Sequence, residues 1–264
     1  MSGNLDRGLA IMELLAMTGG PLPLHAIADR LNIPRSGAHR LLAMLSEQGY
    51  VRQHADHGEY QLTLKLASIA LIYLSASGVV DVAQPVLDRL AVASGELVRL
   101  GVIDGEKLIF VTKAQGARSG LRYDPDMGKE AALFCTASGH AWLSCLSDED
   151  AMVILSRQGF GKKGEFGPNA PQTVAQVLKA LQAARKRGYG MVIESSSPGM
   201  SAMAAPIRHP STNAPIGVVS IAGPSSRLTE QRMLELAAML QDAAGQLSVA
   251  CLGSPSFTSN LKRA

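Results

Sequence analysis

The stretch from Pro21 to Tyr60, PLPLHAIADRLNIPRSGAHRLLAMLSEQGYVRQHADHGEY, constrains the fold more than any other part of the chain. A short helical pattern, Leu24 to Leu31, is followed by Asn32, Ile33 and Pro34 and then by a longer one, Arg35 to Gln48. In the longer segment Ala38, Leu41, Leu42 and Leu45 recur at i, i+3, i+4 and i+7, which places them on one apolar stripe. The opposite face carries Ser36, Arg40, Ala43 and Glu47, with His39 on its flank. Pro34 stands at the start, where a missing N–H is tolerated. Gly49 follows the last turn, where a left-handed cap is expected. A β-prone Tyr50-Val51-Arg52, a polar turn and a second short strand at Tyr60 complete the unit. Helix, tight turn, helix and hairpin in that order predict a winged helix-turn-helix, whose second helix is shaped for a DNA major groove.

The spacing leaves Arg35, Ser36 and Arg40 facing outward from the N-terminal part of that helix. Arginine pairs bidentately with guanine, serine contacts base or phosphate, and a helix N-terminus favours phosphate. A two-helix packing unit with exposed arginines has the same pattern, so spacing alone leaves both readings open. Charge is no help: residues 1–60 hold five arginines and no lysine against six acids, and the whole chain carries only +3. A DNA footprint here would have to be local, made by Arg7, Arg35, Arg40 and Arg52, with His25, His39, His54 and His57 able to gain charge on binding.

With 264 residues the chain is long enough for two domains. Residues 5–18 read as a first helix, and the winged unit extends over 1–62. A linker helix, Leu64 to Ser77 with Thr63 as its cap, falls within 63–79. An effector-sized domain covers 80–252, and 253–264 is a polar tail expected to fray. Within the larger domain, helices are expected at Asp81–Ala93, Thr136–Cys145, Gln172–Arg187 and Thr229–Ala250. Strands are expected at Leu97–Ile103, Lys107–Thr112, Met191–Glu194 and Ile216–Ala222. Asp104-Gly105 marks a hairpin between the first two strands. The mixture predicts an α+β domain with a mainly antiparallel sheet. The three scattered cysteines, Cys135, Cys145 and Cys251, fit a reducing cytoplasm. The N-terminus lacks a secretory pattern. No run reaches the apolar length of a membrane span, so no membrane partner is expected.

Several local patterns invite chemistry that their context does not support. Gly159, Gly161 and Gly164 spell G-x-G-x-x-G, but Pro168 and Pro171 leave no room for the helix a dinucleotide site requires. The loop 158–171 is long, and a lid over a ligand or simple slack explains it equally well. Cys135 and His140 project to different faces of a helix, and no acid orients the histidine. Ser195, Ser196 and Ser197 precede Pro198-Gly199 and read as turn residues. No spaced set of ligands suggests a metal. Neither catalysis nor a cofactor is expected.

Five ordered blocks carry a resemblance. They are RGLAIMELLA with IPRSGAHRLLAMLSEQGYV, then GVIDGEKLIFV, CTASGHAWL, RGYGMVIESSSPGMSAMAAPI and GVVSIAGPSSRLT. Over nearly its whole length the chain resembles the IclR family of bacterial transcription regulators. The resemblance implies a winged helix-turn-helix joined by a linker helix to a GAF-like effector-binding domain. It also implies a dimer or tetramer on double-stranded operator DNA. DNA contacts are then expected from Arg7, Arg35, Ser36, Gly37, His39, Arg40 and Arg52. Gly37 departs from the small hydroxyl residue usual in the family. At Thr136 a helix start with Ala137, Ser138 and Gly139 offers free N–H groups to an anion. The residues alone favour close packing there, whereas the resemblance implies a ligand pocket. In relatives that bind small hydrophilic acids the pocket also uses polar groups where this chain has Val192, Ala202, Ser220 and Ala222. Only Ser220 keeps a hydroxyl, so a larger, partly apolar effector such as an aromatic carboxylate is expected. Leu121, Tyr123, Phe134, Met200 and Met203 are further expected lining residues. The expected function is ligand-responsive transcription regulation, a repressor rather than an enzyme. An activator answering a small hydrophilic acid, a ligand-converting enzyme and a non-DNA interaction module stand as alternatives.

Overall fold

A helix with a single apolar stripe is stable only against a partner, and the N-terminal helices supply one another. The computed structural model describes residues 3–125, 127–162 and 164–250; the tail expected at 253–264, and Cys251, lie outside the described residues. The chain divides into two compact units, 1–76 and 77–264. In the first, α1 (Asn4–Thr18), α2 (Leu24–Leu31) and α3 (Arg35–Glu47) precede β1 (Val51–Gln53) and β2 (Tyr60–Leu62). Ile11, Leu15, Ile27, Leu41, Leu42, Val51 and Tyr60 bury into one core. Between α2 and α3, Asn32 takes a left-handed conformation (φ 50°). Ile33 turns inward onto Ala28 and Ala38, and its N–H reaches the Ala28 carbonyl at 2.9 Å. That anchor sets the angle at which α3 leaves the turn. The wing is an antiparallel pair with Val51 opposite Leu62, and Leu22 bridges to Tyr60.

The next helix, α4 (Lys65–Ser77), begins where the linker was expected. The Thr63 hydroxyl donates to the Gly49 carbonyl at 2.6 Å and accepts from the Lys65 N–H at 3.2 Å. No single helix among the described residues is long and apolar enough to cross a membrane.

The second unit runs α5 (Val79–Ser94), β3 (Leu97–Asp104), β4 (Lys107–Gln115), α6 (Ala137–Leu143), α7 (Asp148–Gln158) and α8 (Val174–Arg187). It continues with β5 (Gly190–Ile193), β6 (Met200–Arg208), β7 (Pro215–Pro224) and α9 (Glu230–Ala250). The five strands form one sheet, ordered β4-β3-β7-β6-β5, antiparallel at every pairing. Alternation along the strands sorts side chains to two faces. Val98, Leu100, Met203, Ala205, Val219 and Ile221 share one core with α5 and α9. Leu108, Phe110, Val192, Ala204 and Val218 share the other with α6, α7 and α8. This is the α+β architecture the composition of elements predicts.

Two elements are absent from the sequence-based expectation. The α7 helix starts at Ser147, whose hydroxyl accepts the Asp150 N–H at 3.0 Å, with Asp148, Glu149 and Asp150 in its first turn. Only Ala151 and Leu155 of this helix are buried, too few for a visible stripe. The β6 strand, MSAMAAPIR, is rich in alanine and low in β-propensity. Its position between β5 and β7, with ladders on both sides, makes it a strand. The 159–171 loop follows a helix rather than a strand, so the glycine motif has no dinucleotide context. Phe160 and Phe166 pack on Phe134 with ring centroids 5.3 and 5.0 Å away, and Gly167 and Asn169 N–H groups bond the Ser195 and Glu194 carbonyls. These contacts seat the loop in the core beside β5.

A bidentate ion pair ties the α5–β3 connection to the β7–α9 connection. Arg227 Nε and Nη2 donate to the two Glu96 oxygens at 2.7 and 2.9 Å, and Nη2 also donates to the Leu121 carbonyl at 2.9 Å. Glu96 is buried, whereas the Arg227 side chain is 38% exposed, which reduces the pair's worth. Glu96→Ala is expected to lower stability by about 2 kcal/mol, read as a fall in the urea midpoint at constant slope. An unchanged midpoint would remove this staple from the account.

Candidate functional site

On the α3 surface, Arg35, Ser36, His39 and Arg40 are exposed, and Gly37 is partly so. They project away from Ala38, Leu41 and Leu42, which the core takes. Arg52 lies on the wing, where its Nη2 donates to Gln61 Oε1 at 3.2 Å, and Arg7 is half-exposed on α1. None of Arg7, Arg35, Arg40 or Arg52 has an ion pair among the described residues, so their charge is available to phosphate. A Cβ on Gly37 would meet only Ile33 Cγ2, at an ordinary 3.5 Å, so packing within the domain does not require the glycine.

In the second unit the register of the sheet assembles a cavity beneath α6. Val192 pairs with Ala202, Ala202 with Ala222, and Ala222 with Leu97, one row across four strands. The adjoining row on the same face runs Ala204, Ser220, Arg99. A bulge in β4 lies opposite the Leu100/Gly101 step of β3. It shifts side-chain parity, so that Phe110 faces α6 while Ala114 faces α5. Phe110 is thereby brought under the Arg99 guanidinium, whose carbon lies 3.6 Å from the ring centroid.

The cavity encloses about 130 Å³ and is lined by Arg99, Phe110, Tyr123, Pro125, Lys129, Glu130, Thr136, Ala137, Ser138, Ser196, Met200, Ala202, Ser220 and Ala222, among others. An apolar cavity of about 150 Å³ holds benzene, so the volume suits one small ring. The α6 helix closes over the sheet very tightly. A Cβ on Gly190 would stand 2.3 Å from the Ala137 carbonyl oxygen, and one on Gly139 would stand 2.2 Å from that of Leu133. Thr136 caps α6 by accepting the Gly139 N–H at 3.0 Å. The helix start is therefore both closely packed and at the cavity wall.

Of the residues expected around an effector, the structure brings together Tyr123, Ala137, Ser138, Met200, Ala202, Ser220 and Ala222. It does not bring in four others. Met203 is on the opposite pleat, packed with α5 and α9, because its neighbours Ala202 and Ala204 take the α6 face. Leu121 is 68% exposed. Phe134 is occupied by Phe160 and Phe166 in the core. Val192 lines a separate groove beside α8 together with His140 and Arg187. Arg99, Phe110, Lys129 and Glu130 line the cavity without having been singled out, and so does Ser196, which the sequence suggests only as a turn residue. Arg99 had a visible signal, as the one charge within the apolar run LVRLGVI.

Cys135 and His140 make no catalytic pair. His140 is buried, its Nε2 is bonded to the Phe134 carbonyl at 2.8 Å, and burial holds its pKa below the usual histidine value. Burial pushes the Cys135 thiol up to about 12, the reverse of an activated nucleophile. Ser195 donates to the Cys135 carbonyl at 2.7 Å in the core. Among the described residues no group of three or more His, Cys, Asp or Glu side chains is placed to hold a metal.

A winged helix-turn-helix followed by a domain with a ring-sized cavity is the organisation of a DNA-binding transcriptional regulator. Residues 4–55 match the IclR helix-turn-helix domain, and residues 71–249 match the bacterial transcriptional regulator IclR C-terminal domain. The chain belongs to the IclR family. It is 29% identical over 246 residues to the HTH-type transcriptional repressor AllR of Escherichia coli K12, covering 93% of this chain and 89% of AllR. It is also 29% identical over 253 residues to the acetate operon repressor of Salmonella typhimurium LT2, covering 95% and 90% of the two chains. Among solved structures, an IclR transcriptional regulator from Alicyclobacillus acidocaldarius superposes with a TM-score of 0.80 at 20% identity, covering 95% and 99% of the two chains. An IclR homolog from Microbacterium hydrocarbonoxydans complexed with 4-hydroxybenzoate gives 0.77 at 21% identity, covering 96% and 100%.

Native protein at pH 8 is expected to leave Cys135 unmodified by iodoacetamide, since a thiol titrating near 12 is almost wholly protonated there. Peptide mass mapping reads the result. Rapid labelling of Cys135 before unfolding would contradict the burial described.

Proposed function

We propose that the protein is a repressor that binds operator DNA through α3 and the wing and responds to a small aromatic carboxylate held in the cavity beneath α6. The observation that carries the effector reading is the lining. Phe110, Ala202 and Ala222 present apolar surface to a space sized for one ring. A few hydroxyl groups, from Tyr123, Ser138 and Ser220, stand among them to orient it. A very small acid would leave the apolar stretch of Phe110, Ala202 and Ala222 unfilled. The 4-hydroxybenzoate complex of the Microbacterium homolog supports the same class of ligand.

Self-association is part of the proposal. Leu64, Leu71, Ile72 and Tyr73, on α4 or at its start, are each at least 65% exposed, an apolar surface that a second copy would cover. A two-fold pair would present its α3 helices to half-sites one helical turn or a multiple apart. Effector binding then acts by favouring one arrangement of the pair over another.

Arg40→Ala is expected to weaken operator binding at least tenfold, to flatten its salt dependence, and to leave effector affinity unchanged. An unaltered operator shift in that variant would remove α3 as the reading helix. Sedimentation of the intact protein is expected to give a dimer or tetramer; a monomer at micromolar concentration would sink the pairing. In calorimetry, benzoate-type acids are expected to bind more tightly than pyruvate. The opposite order would refute the aromatic reading.

A further inference from the structure

We infer that Arg99 is the anion receptor of this cavity and the residue that makes it selective for a carboxylate over a neutral ring of the same shape. The inference rests on the proposed effector cavity and deepens it. Arg99 enters from β3, beside Ser220 and opposite the α6 wall. Its guanidinium carbon lies over the Phe110 ring, 3.6 Å from the centroid, and its Nε is inaccessible to solvent with no hydrogen-bond partner. Burial lowers its pKa, and the nearby Tyr123 pulls the other way. An arginine starts so high that it stays charged at neutral pH.

Arg99 is half-buried, and its buried Nε is left without a hydrogen-bond partner, which is uncommon for a buried polar atom. The other charged groups at the cavity already have partners. Glu130 pairs with Lys107 at 3.4 Å and accepts from Gln158 at 2.8 Å, and Lys129 is also engaged. Arg99 forms no ion pair among the described residues. The arrangement fits a planar acid in particular. The contact with Phe110 holds the guanidinium in place, and the fork of N–H groups matches the two oxygens of a carboxylate. The ring of an aromatic acid would lie along the Ala202 and Ala222 row, two residues whose small side chains leave the space. Where Ala202 and Ala222 supply no polar groups, a single charged contact takes over the recognition.

The test is calorimetry on the intact protein with benzoate, its neutral isostere benzamide, and pyruvate, comparing wild type with R99Q and R99K. Wild type is expected to prefer benzoate to benzamide by at least about 30-fold. R99Q should lose at least about 30-fold for benzoate while its benzamide affinity stays within about threefold. R99K, which keeps charge but not the planar fork, should fall between. Without added acid, R99Q should melt at or above the wild-type temperature, because a half-buried charge with a buried, unpartnered Nε has been removed. Equal benzoate affinity in wild type and R99Q overturns the inference. So does equal binding of benzoate and benzamide by wild type, or a loss of melting temperature in both variants. Failure of every carboxylate to bind wild type also overturns it. Tight pyruvate binding that needs Arg99, without benzoate binding, would refute the aromatic reading and leave the receptor assignment standing.

Discussion

The period-two alternation of one antiparallel sheet underlies both the stability and the cavity of the larger unit. Val98, Leu100, Met203, Val219 and Ile221 all reach the α5 and α9 face, and that core anchors the strands. Residues one position away, Arg99, Ala202, Ser220 and Ala222, are then obliged to reach the α6 face and wall the cavity. A slip of one residue in any pairing would exchange the two sets. The β4 bulge breaks that parity beside the cavity, and it puts Phe110 under Arg99. Core packing thus fixes the position of the site by the same register that fixes the fold.

The cavity also shows why close approach matters. Gly190 on β5 and Gly139 within α6 allow backbone contacts that any side chain would block. The helix start therefore lies low over the sheet, and the enclosed space remains small. Polarity is concentrated accordingly, with alanines along one row and an arginine at the end of the next. In the proposed repressor, that uneven distribution is what would discriminate among acids.

The DNA-binding unit was the most legible part of the chain. Its contacts are local: the α3 stripe of Ala38, Leu41 and Leu42, the Asn32-Ile33-Pro34 turn and the short wing all lie within one stretch of sequence. The effector unit was read less completely. Its hairpin at Asp104-Gly105 and its longer helices carry turn and period signals, and they are where the spacing puts them. The α7 helix and the β6 strand carry weak local signals. Ala151 and Leu155 alone face the core in one, and alanines dominate the other. Val192 was expected at the cavity from the resemblance and Met203 as a further lining residue, but neither expectation says which pleat or groove a residue occupies.

By itself the sequence determined the winged helix-turn-helix, the linker helix, the α+β character of the second unit, and the membership that its ordered blocks resemble. The elements follow from periodicity, caps and turn chemistry, which act between residues near one another in the chain; the family resemblance rests on the ordered blocks themselves. Only the tertiary structure decided which side chains meet. Arg99, Phe110 and Ser220 come from three strands, joined by pairing across more than a hundred residues and by a bulge with no sequence signature. Strand register and parity are properties of the whole sheet, set by the burial of both faces at once, and no local window contains them.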